Sequence, residues 1–306
     1  MTRLCAVSVD LDEIPNYFGI HGLPDPGAPA AHAVYDVALE RLGAFSRASG
    51  APLTLFTIGA DLARPEAARR LRAMADAGHE LANHSLDHRY DLTRLPRDEM
   101  RRQVVEGADA IRGATGRSPT GFRAPGYTVN DELYEVLQEV GVAYDSSVFP
   151  CPPYYLAKAA RLAVMRLMGR TSRSVLDVPS VLRAPTRPYR TGRPYWKRGN
   201  GVLELPVQVT HGPRLPFIGT TLTLAGPSKA RLLTRLVVGE PLVNLELHGI
   251  DVLDDGDGLG ALKGHQPDVD VPHDRKLEAL SAVVSTLKSA GYSFVSLAEA
   301  AKTFAN

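Results

Sequence analysis

Short apolar runs that end in polar residues alternate along the chain with longer segments whose apolar residues recur at helical spacing. The short runs predict buried strands at 6–12, 52–59, 79–83, 121–127, 142–145, 203–207, 242–248 and 292–297. The longer segments predict helices at 31–49, 65–77, 97–113, 131–140 and 274–290. The Gly- and Pro-rich segment 14–29 is expected to be a loop.

This alternation favours a parallel sheet that closes, or nearly closes, into a barrel. We therefore expect an α/β fold, a distorted (β/α) barrel of about seven parallel strands. A chain of 306 residues, of which 44% are hydrophobic, suits one large domain spanning residues 1–306. A helical and loop insertion is expected at 151–200, where the strand–helix pattern is interrupted.

Several polar residues fall at the ends of predicted strands. They are Asp10, Asp12, His84, Arg123, Asp145 and His248. Barrels of this class build their sites at the carboxyl ends of the strands, so these side chains are expected to converge there. Some also have a structural interpretation: Arg123 as an ion-pair partner, Asp145 as a capping or salt-bridge residue, and His248 as an ordinary strand-end histidine.

Two histidines four residues apart, His84 and His88, follow the predicted strand 79–83. In one helical turn such residues share a face, so the two rings could bind one cation. An exposed helix can also carry two histidines by chance, but Asp10 and Asp12 end a buried strand, and buried carboxylates without partners are costly. Two His and one Asp, with positions left for water, suit catalytic Zn²⁺ or a similar divalent ion.

The formal net charge is only +1, but the charge is unevenly distributed. Basic residues crowd 151–200 and are opposed there only by Asp177: Lys158, Arg161, Arg166, Arg170, Arg173, Arg183, Arg187, Arg190, Arg193, Lys197 and Arg198. Without a nucleic-acid motif or a strongly basic total charge, a nucleic-acid partner is not expected. No apolar run is long enough to span a membrane. The first strand begins too near Met1 for a secretory signal, so a cytoplasmic protein is expected.

The first part of the insertion, 153–170, predicts a short basic amphipathic helix with an aromatic start. Such a helix either packs on the barrel with solvated arginines or contacts an anionic membrane surface, where each nearby Lys or Arg contributes ~1 kcal/mol. In the second part, Arg187, Tyr189, Arg190 and Trp196 are expected to bind a phosphate or a sugar of the substrate. Arginines pair with phosphates, and aromatic faces suit sugar rings.

Taken together and in this order, these residues resemble the motifs of the polysaccharide deacetylase family, also called carbohydrate esterase family four. The resemblance covers roughly Leu4 to Leu297, and each family motif can be placed. The first motif, Asp10-Leu11-Asp12, departs from the adjacent Asp-Asp of typical chitin deacetylases. It is similar to the Asp-x-Asp of intracellular peptidoglycan-deacetylase-like proteins and of lipid-linked sugar deformylases.

The resemblance implies a metal centre and a general base. Asp12, His84 and His88 would bind one divalent metal ion, with Zn²⁺ favoured over Co, Ni, Fe or Mn. Asp10 would be the base that takes a proton from metal-activated water.

The resemblance also implies roles around that base. Arg123 would orient Asp10, with Asp145 in support, and His248 would protonate the leaving amine. The family's Pro-Tyr is Pro125-Gly126-Tyr127 here. The backbone N–H that stabilises the oxyanion is therefore assigned to Tyr127, with Gly126 as the alternative.

The motifs and the insertion together predict a metal-dependent hydrolase that removes an N-acyl group, acetyl or formyl, from an amino sugar. A neutral polymer such as chitin does not need so basic an insertion, which favours a polyprenyl-phosphate-linked sugar at the inner membrane face. One alternative is hydrolysis of a small non-sugar amide, as in allantoinase-like relatives, which tend to lose the metal ligands kept here. Another is a catalytically silent barrel that binds a glycan or a lipid.

Overall fold

The computed structural model of the protein describes residues 3–27, 30–176 and 179–305. The strands of these segments are β1 (Arg3–Asp10), β2 (Leu53–Thr57), β3 (Glu80–Asn83), β4 (Gly121–Phe122), β5 (Tyr144–Asp145), β6 (Tyr189–Thr191), β7 (Arg198–Glu204), β8 (Leu242–His248) and β9 (Tyr292–Phe294). Their α-helices are α1 (Ile14–His21), α2 (Leu39–Ser49), α3 (Pro65–Asp76), α4 (Arg97–Thr115), α5 (Asp131–Glu139), α6 (Pro152–Leu167), α7 (Gly219–Arg235), α8 (His273–Ser289) and α9 (Leu297–Phe304). Helices thus follow most strands, as the sequence pattern predicts.

One sheet contains all of these strands, and most of them run parallel in the order β7-β5-β4-β3-β2-β1-β8. β6 pairs antiparallel with β7, and β9 pairs parallel with the start of β1. The segment after β7 bridges the two ends of the sheet. The Leu205 N–H donates to the Asp145 carbonyl of β5 (2.8 Å), and the Gln208 N–H donates to the Asn244 carbonyl of β8 (3.1 Å). The predicted distorted barrel of parallel strands is confirmed.

The alternation of side chains along β1 sets the direction of the site residues. Cys5, Val7 and Val9 belong to the main hydrophobic core, together with residues of α2 and α8. Ser8 and Asp10 lie on the opposite face, because successive side chains of a strand point to opposite sides. That face is the barrel interior, so a strand that is apolar towards the helices carries polar groups inward.

The expected loop at 14–29 is wrong over its first half, which forms α1. The buried residues Ile14, Tyr17, Phe18 and His21 of α1 recur at helical spacing, and the left-handed Gly22 (φ 62°) ends the helix. The pattern also predicts neither α7, which is interrupted by a non-helical Gly226, nor α9.

The insertion at 151–200 has two parts, and residues of both, such as Tyr155 and Tyr195, pack into one hydrophobic cluster. The first is the predicted basic helix, α6, and the second contains β6 and the start of β7. In the segments that the structure describes, no helix is both long and apolar enough to cross a bilayer.

Candidate active site

A cavity of about 560 Å³ lies at the carboxyl ends of β1 and β8. Asp10, Asp12, His84 and His248 line it, as predicted for residues at these strand ends. Arg123 lies behind Asp10, and Asp145 lies further from the cavity. The strand ends therefore bring these four predicted residues together, with Arg123 behind Asp10.

His84 and His88 lie in an irregular loop after β3, and the helical turn expected for them is wrong. The chain reverses because Ser85 (φ 68°) and His88 (φ 52°) are left-handed. The Leu86 N–H donates to the Gln103 carbonyl of α4 (3.0 Å), which holds the loop in this path. The two imidazole rings nevertheless lie 4.9 Å apart between centroids, so the predicted pairing of the rings survives without the helix.

Asp12 lies between these two histidines. Its Oδ1 is 3.3 Å from Nε2 of His84 and 3.2 Å from Nε2 of His88. All three side chains are buried, and one ligand atom of each lies within 4.8 Å of the others. Burial raises the pKa of Asp12, but the His88 and His84 rings outweigh it and hold that pKa well below its usual range.

The donor atoms of this trio fit a divalent metal ion. Oδ1 of Asp12 and both ring nitrogens of His88 are buried without a hydrogen-bond partner among the described residues. Nδ1 of His84 contacts the Arg123 carbonyl (2.8 Å), so that nitrogen carries the proton and Nε2 keeps its lone pair. Two neutral imidazole nitrogens and one carboxylate oxygen are a common catalytic zinc set.

The Asp10 carboxylate is held by a fully buried arginine. Nη1 of Arg123 donates to Oδ1 of Asp10 (2.6 Å), and its Nη2 donates to Ser8 Oγ (2.9 Å). Its Nε donates to the Ser146 carbonyl (2.8 Å), and its guanidinium lies 4.0 Å over the Phe56 ring. A guanidinium with so many fixed contacts positions the carboxylate firmly.

His248 forms an ion pair that was not predicted from the sequence. Its Nδ1 is 2.9 Å from Oε1 of Glu246, a fully buried side chain two residues earlier on β8. Burial lowers the pKa of His248, but the Glu246 carboxylate outweighs it and raises that pKa well above its usual range. Nε2 of His248 is 4.0 Å from Oδ2 of Asp10. The period-two alternation of β8 was the signal that would have placed Glu246 beside His248.

Tyr127 lies in a tight turn that also lines the cavity. Both Gly126 (φ 62°) and Tyr127 (φ 60°) are left-handed. The Tyr127 N–H donates to the Ala124 carbonyl (3.1 Å), so in this structure it is engaged within the turn. Gly126 lines the same cavity and remains the other candidate donor.

Asp145 lies beside Glu204 rather than beside Arg123. The Tyr134 hydroxyl lies within hydrogen-bond distance of both carboxyl groups, 3.0 Å from Asp145 and 2.8 Å from Glu204. Ser147 also donates to Asp145, through its N–H (3.0 Å) and its hydroxyl (2.8 Å). Burial raises the pKa of Asp145 and raises that of Glu204 well above its usual range. Asp145 therefore does not contact Arg123 directly. It holds the turn at Ser147, next to Ser146, whose carbonyl accepts a hydrogen bond from Arg123.

The structure does not bring the predicted substrate-binding residues to the cavity. Arg187 pairs with Glu240 (2.7 Å), and Arg190 donates to the Gly201 carbonyl (3.2 Å) and the Ala305 carbonyl (2.8 Å). Tyr189 is buried in β6, and Trp196 packs against Tyr195. These side chains stabilise the second part of the insertion.

The first part of the insertion supplies a wall of the cavity. The α6 residues that line it are Pro153, Tyr154, Ala157, Lys158, Arg161, Leu162 and Met165. Nη2 of Arg161 lies 2.9 Å from Nδ1 of His21 and 2.8 Å from the His265 carbonyl. The Ser172 hydroxyl donates to the Ile20 carbonyl (2.7 Å). These contacts tie α6 and the segment after it to α1.

Residues 35–144 match the model of the polysaccharide deacetylase family. A peptidoglycan deacetylase of Helicobacter pylori is 26% identical over 157 residues, which are 50% of this chain and 53% of that protein. A chitooligosaccharide deacetylase of Sinorhizobium fredii is 38% identical over 94 residues, which are 30% of this chain and 42% of that protein. The chain thus spans about half, or less, of the length of these curated relatives.

Solved structures share the fold across nearly the whole chain. A protein described as a polysaccharide deacetylase from Mycobacterium smegmatis aligns over 99% of this chain and 91% of its own, with a TM-score of 0.61 and 19% identity. A CE4 family pseudoenzyme from Bacillus anthracis aligns over 97% of this chain and 65% of its own, with a TM-score of 0.52 and 14% identity. At these identities the likeness concerns the fold, so activity must be argued from the site.

Proposed function

Since the chain carries a polysaccharide deacetylase domain, we propose that it is a metal-dependent hydrolase that removes an N-acyl group from an amino sugar. One observation carries this proposal. Asp12 and His84, which form a trio with His88, line one cavity with Asp10, held by Arg123, and with His248, paired with Glu246. A metal site, a base and an acid are the groups that amide hydrolysis needs.

Asp12, His84 and His88 would hold the ion, and Zn²⁺ suits their donors best. When bound, a divalent ion polarises the amide carbonyl and lowers the pKa of water. Asp10 accepts a proton from the attacking water at its Oδ2, because Oδ1 is held by Arg123. His248 donates a proton from Nε2 to the departing amine, while Nδ1 faces Glu246. Amines leave poorly as anions, so this proton transfer is required for the C–N bond to break.

We further propose that the amino sugar is lipid-linked and that the protein works on the anionic inner face of a membrane. The support is α6, which lines the cavity and also has an apolar outer stripe. Along this stripe Leu156 is 72% exposed and Leu167 is 87% exposed, with Val164 and Met168 beside them. Arg161 and Arg166 flank the stripe and are exposed. Apolar residues between basic ones suit an anionic bilayer surface.

The test is to incubate the metal-reconstituted protein with lipid-linked and soluble N-formyl and N-acetyl amino sugars and to identify the released acid. The His84→Ala variant is the control. Formate released only from the lipid-linked compound supports the complete proposal. Acetate released equally from soluble sugars supports a deacetylase and removes the membrane part. No acid from any compound overturns the proposed activity.

A further inference from the structure

Three tyrosines that line the cavity have hydroxyl groups without a hydrogen-bond partner among the described residues. Tyr17, Tyr90 and Tyr127 all line it, and their exposed fractions are 5%, 7% and 3%. Their Oη atoms are buried without a partner among the described residues. Buried polar groups are nearly always paired in folded proteins, so three exceptions around one cavity need an explanation.

These tyrosines surround the reacting groups from different elements. Tyr17 belongs to α1, Tyr90 to the loop after the metal histidines, and Tyr127 to the turn after β4. The rings of Tyr17 and Tyr127 each meet the His248 ring edge-on at 6.4 Å. The Tyr90 ring meets the His88 ring edge-on at 4.8 Å. The three rings therefore flank both the proposed acid and the proposed metal centre.

Packing alone does not account for these hydroxyl groups. Phenylalanine would fill the same space without burying an unpaired O–H, which is unfavourable. Each phenol is a hydrogen-bond donor and acceptor at neutral pH. In a cavity with otherwise largely apolar walls, such as Ile20, Leu162, Met165 and Ile218, they are suited to a ligand with several oxygen atoms around its edge.

The shape of the cavity limits how much of a glycan can enter. The contacts of Arg161 and Ser172 close the side between α6 and α1. A volume of about 560 Å³ lies within the range of small-molecule pockets.

We propose that the hydroxyl groups of Tyr17, Tyr90 and Tyr127 form a collar that hydrogen-bonds the hydroxyl oxygens of one terminal sugar ring. The proposal deepens the proposed function and rests on it for the identity of the ligand. It makes these tyrosines specificity-determining residues, and the ring enters from the end of a glycan or as the head group of a larger molecule.

The test measures sugar binding without turnover, in the Zn²⁺-loaded Asp10→Asn protein. N-Acetylglucosamine and its 3-, 4- and 6-deoxy analogues are titrated calorimetrically against Tyr17→Phe, Tyr90→Phe and Tyr127→Phe variants. Each substitution is expected to weaken binding of the parent sugar by roughly three- to tenfold. The loss should vanish for the one deoxy analogue that lacks the matching hydroxyl.

Tyr35→Phe is the matched control. The Tyr35 hydroxyl is also buried and unpartnered within the described chain, but Tyr35 belongs to the main core rather than to the cavity lining. Melting temperature should be unchanged or higher in all the Phe variants, whereas sugar binding should fall only in the cavity variants.

Unchanged sugar affinity in all three cavity variants, or no sugar binding at all, would overturn the collar. Because binding is measured apart from hydrolysis, the two proposals can fail separately. Tyrosine-dependent sugar binding in a protein that hydrolyses no amide supports the collar and contradicts the proposed activity. Hydrolysis at wild-type KM in all three variants contradicts the collar and leaves the activity standing.

Discussion

Asp10 and Asp12 are only two residues apart, yet they have different partners. Asp10 contacts a buried guanidinium at 2.6 Å, whereas Asp12 contacts two imidazole nitrogens at 3.2 and 3.3 Å. A guanidinium fixes a carboxylate without coordinating a metal, and two imidazoles complete a ligand set. We therefore propose separate functions for the two carboxylates, which separate variants can test.

Asp10→Asn is expected to keep the bound metal and to lower kcat about 10²- to 10⁴-fold, the usual contribution of a general base. Asp12→Ala, His84→Ala and His88→Ala should each lose the metal. Metal content after dialysis and kcat are the two measurements. An Asp10→Asn protein with wild-type turnover would show that another group is the base.

Glu246→Gln is expected to shift the alkaline limb of the pH–rate profile to lower pH. Glu246 raises the pKa of His248, and a general acid acts only while protonated. Activity is present below that pKa and falls as pH rises through it, so removing the carboxylate moves the fall downward. NMR titration of His248 measures the same pKa directly.

The matched control for this change is Glu240→Gln, because Glu240 also faces a histidine, His211, at 3.1 Å but does not line the cavity. Its pH–rate profile should match the wild type. A Glu246→Gln profile that also matches would contradict the assigned pair.

Most reacting groups were predictable from the sequence because they end strands. Asp10, Asp12, His84 and His248 could be placed by counting where each apolar run stops. Glu246 and the cavity tyrosines were missed for a physical reason. Glu246 lies inside an apolar run that predicts a buried strand. The proposed role of Tyr17 in α1 depends on tertiary packing against His248.

At the scale of elements, α6 carries apolar side chains on two of its faces. Its inner side chains, such as Leu162 and Met165, line the cavity, and its outer side chains include the exposed Leu156 and Leu167. An ordinary surface helix exposes polar residues instead. A helix with apolar residues on both sides suits a second apolar environment, and a bilayer surface is the one proposed here.

Leu156→Ser with Leu167→Ser is expected to weaken binding to anionic vesicles, because each leucine loses apolar area that the bilayer would bury. Arg166→Ala should weaken it roughly fivefold, from about 1 kcal/mol per basic residue. Vesicle sedimentation measures both effects, and raised salt should mimic only the second.

Leu232→Ser is the matched control, since Leu232 of α7 is similarly exposed (59%) but lies far along the chain from the basic insertion. Its vesicle binding should stay at the wild-type level. Equal losses in the α6 and α7 variants would contradict a specific membrane face.

The pattern of apolar positions predicted α6 well and α1 poorly. α6 is long and strongly periodic, whereas α1 has only 8 residues within a segment rich in Gly and Pro. Those residues suggested a loop, but Gly22 in fact marks the end of the helix. The second part of the insertion was wrongly predicted to reach the substrate. Tertiary contacts, which the sequence pattern does not show, set the direction in which the chain leaves α6.

At the scale of the whole molecule, the buried pair of Asp145 and Glu204 joins β5 to β7. Burial holds the pKa of both carboxyls above their usual ranges. The folded protein therefore keeps a proton that the unfolded chain releases at lower pH. The stability that this proton contributes is fully present below the pKa that the carboxyl has in the unfolded chain. It is lost as pH rises through the higher pKa that the carboxyl has in the folded protein.

Glu204→Gln is expected to flatten this dependence, because an amide replaces the protonated carboxyl and does not titrate. Urea unfolding at pH 5 and at pH 8 should show a smaller difference in free energy than in the wild type. Glu139→Gln, at an exposed ion pair with Arg97, is the control and should keep the wild-type slope. An unchanged or steeper dependence of the unfolding free energy on pH in Glu204→Gln would contradict the proton kept by the folded protein.

The barrel itself was predictable because alternating strands and helices leave few ways to bury both faces of a parallel sheet. Its closure was not, since the bonds of Leu205 and Gln208 to β5 and β8 come from a segment without regular strand pattern. The α6 wall of the cavity could not be predicted from the sequence either. It depends on contacts of Arg161 with His21 and His265, which lie far from it along the chain.

The wall formed by α6 belongs to the connection between β5 and β7, whereas the reacting groups stand on β1, β8 and the loop after β3. Replacement or lengthening of that single connection would reshape what the cavity admits and leave Asp10, Asp12 and His248 in place. The α6 wall and the proposed reacting groups are thus encoded in separate stretches of the gene.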